Sequence, residues 1–477
     1  MQKERSNRTR IAGQKIEFVT ALDLISNGPQ ACNIIHKKTG SIDGHEPVEN
    51  IVNHRQIQAA IMNLCFPFSL KIDQIMAVDA WIANRCKGSI IYGSGTGKTE
   101  IAFECARRAA EMRCLCGVAD EGFNIVFLVP RKVLVDQNLK RLQSYGIAPE
   151  NIGRYFGEQK QIREIIIGTY HSALRNLDII RRADMVIFDE VHLARGAFTR
   201  IFDLVNQYPD KLLLGLTATI DENDPKNSTI INTVPPVRKY LIKDAVQDRR
   251  LARPIIRSIG VRLTEKEQRL YDQYSTKIRN ISKRFNRFRA EEMMELIKVG
   301  GFPSWQAKAW FLNVKKRKQL LASSENKLLA ALDLIMAKHP DQKVMVFSET
   351  LESIRKLKQL LKSRGIASAL IDSRTFPYRR QVILSEWGRR FNVLLSVHTL
   401  EVGFDVPDAQ IEIILATTSN ANQVVQRIGR VLRKVHRKDF ALIYLIYVSD
   451  TKDDSTLTIV RNAVDTSGGS ENAGVCD

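Results

Sequence analysis

From about Leu70 the chain alternates short apolar runs with stretches whose apolar residues recur at helical spacing. Ile75, Val78, Ala80, Trp81 and Ile82 predict a helix over residues 74–86. Residues 125–129, 165–167, 185–188 and 212–216 are apolar without interruption, and 88–91 are apolar but for Ser89. Continuous runs of that length predict parallel strands buried on both faces, and the stretches between them, such as 100–110 and 133–145, predict the covering helices. A second alternation predicts strands over 344–347, 368–371, 393–397, 411–415 and 441–448, with helices over 353–361 and 381–388. Between the two, residues 263–331 are helical by pattern, and Gly300-Gly301-Phe302-Pro303 predicts a break into two pieces.

The expected architecture is therefore α/β, two parallel-sheet lobes in tandem with a helical insert between them. The boundaries expected are 66–250 for the first lobe, 251–325 for link and insert, 326–450 for the second lobe and 451–477 for a tail that frays from Thr466. Residues 1–65 show no pattern that assigns them a role.

Composition narrows the function. The 477 residues carry a formal charge of +20, so the field favours a polyanion. Much of the excess lies in the insert, where Lys277, Arg279, Lys283, Arg284, Arg287, Arg289 and Lys315 to Lys318 are interleaved with Phe285, Phe288, Trp305, Trp310 and Phe311. Such a mixture suits a nucleic-acid strand, phosphates held by charge and bases by stacking; the alternative is a solvated face with its aromatics in a local core. Seven cysteines without paired spacing, Cys114-x-Cys116 included, read as ordinary thiols of a reduced intracellular protein, cytoplasmic, nucleoid-associated or nuclear. No run is long and apolar enough to span a membrane.

The chemistry centres on Tyr92-Gly93-Ser94-Gly95-Thr96-Gly97-Lys98-Thr99, which follows a predicted strand and precedes a predicted helix. That context makes it a phosphate loop: backbone N–H groups and a helix N-terminus face the polyphosphate, Lys98 reaches the β- and γ-phosphates, and Thr99 ligates Mg²⁺. The pattern's first glycine is Tyr92 here. Gln74, upstream, is either an adenine contact or a surface residue. About ninety residues past Lys98, Asp189 and Glu190 end an apolar run, the arrangement in which one acid holds the metal and the other polarises the attacking water. His192 with Thr217 and Thr219 reads as a relay from that site. Gln426, Arg430 and Arg433 fall on one helical face, either as transition-state stabilisers at a γ-phosphate or as surface ion pairs.

Together with Phe347-Ser348 and Gly403-Phe404-Asp405-Val406-Pro407, these motifs resemble a superfamily 2 helicase over residues 70–448. Leu70-x-x-x-Gln74, Leu251-Ala252-Arg253-Pro254, Ser324-Glu325-Asn326-Lys327 and the Gly429-Arg430-Val431-Leu432-Arg433 ending resemble the XPB branch and its phage relative UvsW. The resemblance implies two RecA-like lobes, a thumb-like insert, ATP and Mg²⁺ as cofactors, and a monomer that acts on DNA more than RNA. It implies Gly403 and Asp405 beside the nucleotide, and Pro130, Arg131, Thr169, Ser348 and Thr399 near the nucleic acid. The family's Arg-Glu-Asp triplet aligns with Glu222-Asn223-Asp224, which keeps only the aspartate, and no damage-recognition domain is recognisable in residues 1–65. The expected activity is an ATP-dependent DNA helicase. A duplex translocase that does not separate strands, an RNA helicase and a binding module remain as rivals.

Overall fold

A computed structural model describes residues 59–115, 122–372, 374–397, 409–416, 424, 428–429, 431–433 and 438–465. They form two compact units, and residues 91–96 and 218–220 group with the second. Two sheets organise the chain. The first has eight strands: β1 Lys87–Tyr92, β2 Ile125–Val129, β3 Ile152–Phe156, β4 Gln159–Lys160, β5 Ile165–Thr169, β6 Met185–Asp189, β7 Leu212–Thr217 and β8 Pro236–Tyr240. Their order is β4-β3-β5-β2-β6-β7-β1-β8. The apolar runs are its centre: all five residues of β2 are buried, and β2 pairs in parallel with both β5 and β6. Since β6, β7 and β1 are neighbours, the segments that follow them come together at one place.

Helix α1, Ile72–Ala83, precedes β1. Helix α2, Lys98–Leu115, leaves the loop after β1, and α3, Lys132–Ser144, follows β2. Trp81 of α1 is fully buried and its Nε1 donates to the Leu213 carbonyl of β7 at 3.0 Å, which ties that helix to the sheet.

The second sheet has six strands: β9 Arg253–Val261, β10 Val344–Ser348, β11 Ser368–Ile371, β12 Val393–Val397, β13 Ile411–Ile414 and β14 Phe440–Val448, in the order β11-β12-β10-β13-β14-β9. All its pairings are parallel. Here the structure departs from the sequence expectation. The sheet is entered at Arg253, in the segment read as a link, and β9 pairs with β14 along its whole length. This edge strand is buried at one of its nine positions, Pro254, so it has no buried apolar run to betray it.

Between β9 and β10 stand α4 Glu265–Phe285, α5 Ala290–Val299 and α6 Gly301–Ala322. The break at Gly300 (φ +81°) is where the sequence put it. A further break at Asn286 was not expected: this residue adopts a left-handed φ of +49° and caps α4, a role asparagine fills at little cost. At the other end of α4, Thr264 and Glu267 form a reciprocal capping box. Ile278, Met293, Ala307 and Trp310 give the three helices a core of their own.

Candidate functional site

The loop after β1 turns sharply at Gly95 (φ +85°) and Gly97 (φ +89°), conformations that a side chain would strain. Thr96 Oγ1 donates back to the Gly93 carbonyl at 2.7 Å and closes the turn. Tyr92, where the motif has a glycine elsewhere, is the last residue of β1, fully buried with its ring 5.1 Å from that of Tyr240. The position lies before the turn, so it accepts a large side chain. Lys98 and Thr99 are the first two residues of α2.

Gln74 lies at the start of α1 and is buried. Its Oε1 accepts the Lys71 N–H at 2.9 Å, and its Nε2 reaches the Gly97 carbonyl at 3.4 Å. Its own φ calls for glycine at 97, and a Cβ there would meet that amide at 2.3 Å and displace the Gln74 side chain from the loop. Two residues outside the sequence reading also hold this region. Arg250 Nη2 donates to the Thr96 carbonyl at 2.8 Å, and Tyr170 OH donates to the Asp189 carbonyl at 2.8 Å. No motif marks them: Arg250 is one of a basic doublet, and Tyr170 gains its meaning only from the pairing of β5, β2 and β6.

Asp189 ends β6, and the next residue, Glu190, stands in the left-handed region at φ +49°. For a residue other than glycine this is a sparsely populated conformation that surrounding structure must enforce. The Glu190 N–H donates to Asp189 Oδ1 at 3.0 Å, so the kink and the acid pair are one unit. Burial pushes the Asp189 carboxyl up to about 7, the Glu190 charge adds to the rise, and Lys98 pulls against it. Thus Lys98 and both acids share one electrostatic environment.

His192 is buried beyond the kink. Its Nδ1 lies 2.9 Å from Thr217 Oγ1 at the end of β7 and 3.5 Å from Glu190 Oε2. Burial lowers its pKa, against the pull of Glu190, so at neutral pH the ring is uncharged. Thr219 follows two residues beyond β7, half-buried. The structure therefore joins His192 to Thr217 directly.

The residues expected near nucleic acid divide. Arg131 is exposed and Pro130 half-buried at the β2–α3 turn. Thr169 and Ser348 are buried, and their hydroxyls are engaged locally: Thr169 Oγ1 caps the helix Tyr170–Arg175 through Ser172, and Ser348 Oγ accepts from Ser353 at 2.6 Å. Arg433 is half-buried, and its backbone bridges Leu251. Gln426, Arg430, Thr399, Gly403 and Asp405 lie outside the described residues. Of the divergent triplet, Asp224 pairs with Arg195 at 3.1 Å and Glu222 with Lys239. Among the described residues no group of three His, Cys, Asp or Glu side chains is arranged to hold a metal, and no helix is long and apolar enough to cross a membrane.

Residues 67–222 match the family model described as "Type III restriction enzyme, res subunit", and residues 326–435 match "Helicase conserved C-terminal domain". A relative from Sulfurisphaera tokodaii, named "DNA 3'-5' translocase XPB2", is 25% identical over 80% of this chain and 82% of its own. One from Mycobacterium tuberculosis, "DNA 3'-5' helicase XPB", is 24% identical over 81% of this chain, which spans 62% of that relative's length. The Hef helicase domain of Pyrococcus furiosus shares the fold at TM-score 0.56 and 19% identity, covering 83% of this chain and all of that one. Helicases of this kind use ATP and bind nucleic acid. The chain belongs to the superfamily 2 helicases, close to the XPB branch.

Proposed function

We propose that the protein is an ATP-dependent DNA helicase of the XPB and UvsW kind, coupling hydrolysis to movement along DNA and strand separation. One observation carries this reading: the acid pair kinked at the end of β6 shares its electrostatic environment with Lys98 of the phosphate loop. Loop N–H groups from Gly93, Ser94, Gly95, Thr96 and Gly97, with Lys98, bind the triphosphate, and Gln74 braces the loop from the adenine side. Glu190 orients the attacking water and takes its proton. Thr99 and Asp189 would hold Mg²⁺, because an all-oxygen donor set suits a hard cation. When bound, the ion neutralises charge on the phosphate oxygens.

Arg430 and Arg433, with Gln426, act as transition-state stabilisers, and Gly403 and Asp405 border the nucleotide. His192, Thr217 and Thr219 relay the state of the site into the lobe, a role supported by the His192–Thr217 bond. Arg131, with Pro130 and Thr399, lies on the nucleic-acid path; Thr169 and Ser348 shape that path through the turns they cap. The division into a first lobe over 66–250 and a second over 326–450 remains part of this reading, with β9 added to the second sheet.

DNA is favoured over RNA by the relatives' names, one a translocase and one a helicase. The test compares ATP hydrolysis on single-stranded, duplex and forked DNA and on RNA of equal length, beside forked-duplex unwinding and triplex displacement. DNA is expected to stimulate turnover and the fork to be unwound. Triplex displacement without unwinding would make the protein a duplex translocase, and stimulation by RNA alone would overturn the DNA reading.

A further inference from the structure

The insert leaves aromatic rings in water although it has a core to put them in. Trp310 is buried there, with Nε1 donating to Ser282 Oγ at 2.9 Å. Five residues earlier on α6, Trp305 is 64% exposed, and Phe302, one turn before it on the same face, is 54% exposed. Their ring centroids are 6.4 Å apart, and the Arg284 guanidinium stands 5.4 Å from the Phe302 ring. Phe288, in the turn after α4, is 61% exposed. Such a group of uncovered rings marks a binding surface more often than a solvated face.

Charge identifies the occupant. Residues 265–322 hold fourteen Lys and Arg against six Asp and Glu, a net +8 of the chain's +20. From residue 273 to 290 there are six basic side chains and no acid, and Lys283, Arg284, Arg287 and Arg289 among them are exposed. The cores of protein–protein interfaces are depleted in charge, Lys above all, so a protein partner fits this composition poorly. An open recess lined by Asn280, Ile281, Lys283, Arg284 and Gln306 adjoins the rings through Arg284.

We infer that Trp305 and Phe302, with Arg284, form a stacking site for unpaired bases of a single strand. Duplex bases are stacked already and offer this surface only phosphates, whereas a free base presents a face that an aromatic ring can cover. The surface then selects the single-stranded part of the substrate. This rests on the proposed helicase function but is tested apart from it.

Of the four tryptophans, Trp81, Trp310 and Trp387 are buried, so Trp305 supplies the fluorescence that solvent quenchers reach. Oligothymidylate is titrated into the full chain without ATP, with anisotropy of a labelled strand as an independent measure of binding. The exposed tryptophan signal is expected to be quenched on binding, and Trp305→Ala to weaken oligothymidylate binding by about tenfold or more at an unchanged melting temperature. A blunt duplex is expected to bind through charge and leave that signal in place. Binding without a change at Trp305, equal affinity in the variant, or equal quenching by the blunt duplex each overturns the stacking site. If DNA still stimulates ATP hydrolysis in those cases, the motor stands without it; if no polynucleotide binds or stimulates, both fall.

Discussion

Both units bury ionised groups, and they do so in opposite ways. In the first, Asp189 and Glu190 crowd two carboxylates against one lysine, and burial, with the Glu190 charge added, pushes Asp189 up to about 7. In the second, Lys327 is fully buried, yet its Nζ donates to the Leu415 carbonyl at 2.6 Å and pairs with Asp453, whose carboxylate also accepts the Val448 N–H at 2.9 Å. Lys438 is likewise buried and donates to the carbonyls of Ala409 and Val431. Burial lowers the Lys327 pKa and Asp453 opposes it, so the cost of desolvation is offset in part inside the protein. A buried charge with its partners supplied is architecture. One left in excess is waiting for a ligand.

Substitution should separate the two kinds. Glu190→Gln and Lys98→Ala are expected to lower nucleic-acid-stimulated ATP hydrolysis by about 10²- to 10⁴-fold while thermal unfolding still shows a folded protein. Unfolding in either variant would place this pair with the architectural charges; wild-type turnover would remove the catalytic reading. Asp453→Ala should do the reverse, costing about 3 to 5 kcal/mol of stability because it leaves the Lys327 ammonium uncompensated, as denaturant titration would measure.

A smaller effect follows from pH. The folded pKa of Asp189 is raised from 3.8 to about 7, so its contribution to stability is complete at low pH and is lost as pH rises through about 7. Between those values the native state holds a proton that the unfolded chain has released. The nucleotide-free protein should therefore lose stability relative to Asp189→Asn as pH rises from 5 to 8, by up to about 3 kcal/mol at roughly 1.4 per pK unit. MgATP, which requires the ionised form, should reverse the trend in the wild type and not in the variant. Parallel stability profiles for the two proteins would show that Asp189 carries no such imbalance.

Sequence legibility divides along similar lines. The phosphate loop, the acid pair and the buried strands could be read because each is local: a run of apolar residues or a fixed spacing encodes it. Even Tyr92, which breaks the motif, sits where the strand has not yet begun to turn. What could not be read depends on partners far along the chain. Strand β9 has meaning only beside β14, which begins 187 residues after it at Phe440. Arg250 acts through Thr96, 154 residues away, and Lys327 through Asp453, 126 residues away. The sequence reading took Lys327 as part of a family-like tetrapeptide, and nothing local distinguishes it from the exposed lysines of the insert.

That last pair allows the smallest and sharpest comparison. If Lys327 and Asp453 serve only each other and their neighbours, Lys327→Met with Asp453→Asn removes both charges while the Asn oxygen can still accept the Val448 N–H. The loss left is a donor to the Leu415 carbonyl, about 1 kcal/mol, less than Lys327→Met alone, which strands the carboxylate. A double-mutant cycle by denaturant titration should accordingly give a coupling of 2 kcal/mol or so. No analogous pairing is expected to rescue Glu190→Gln, because its counterpart is a substrate and not a side chain. Additive losses at Lys327 and Asp453 would mean that their burial is not mutual compensation, and the contrast between the two units would have to be drawn elsewhere.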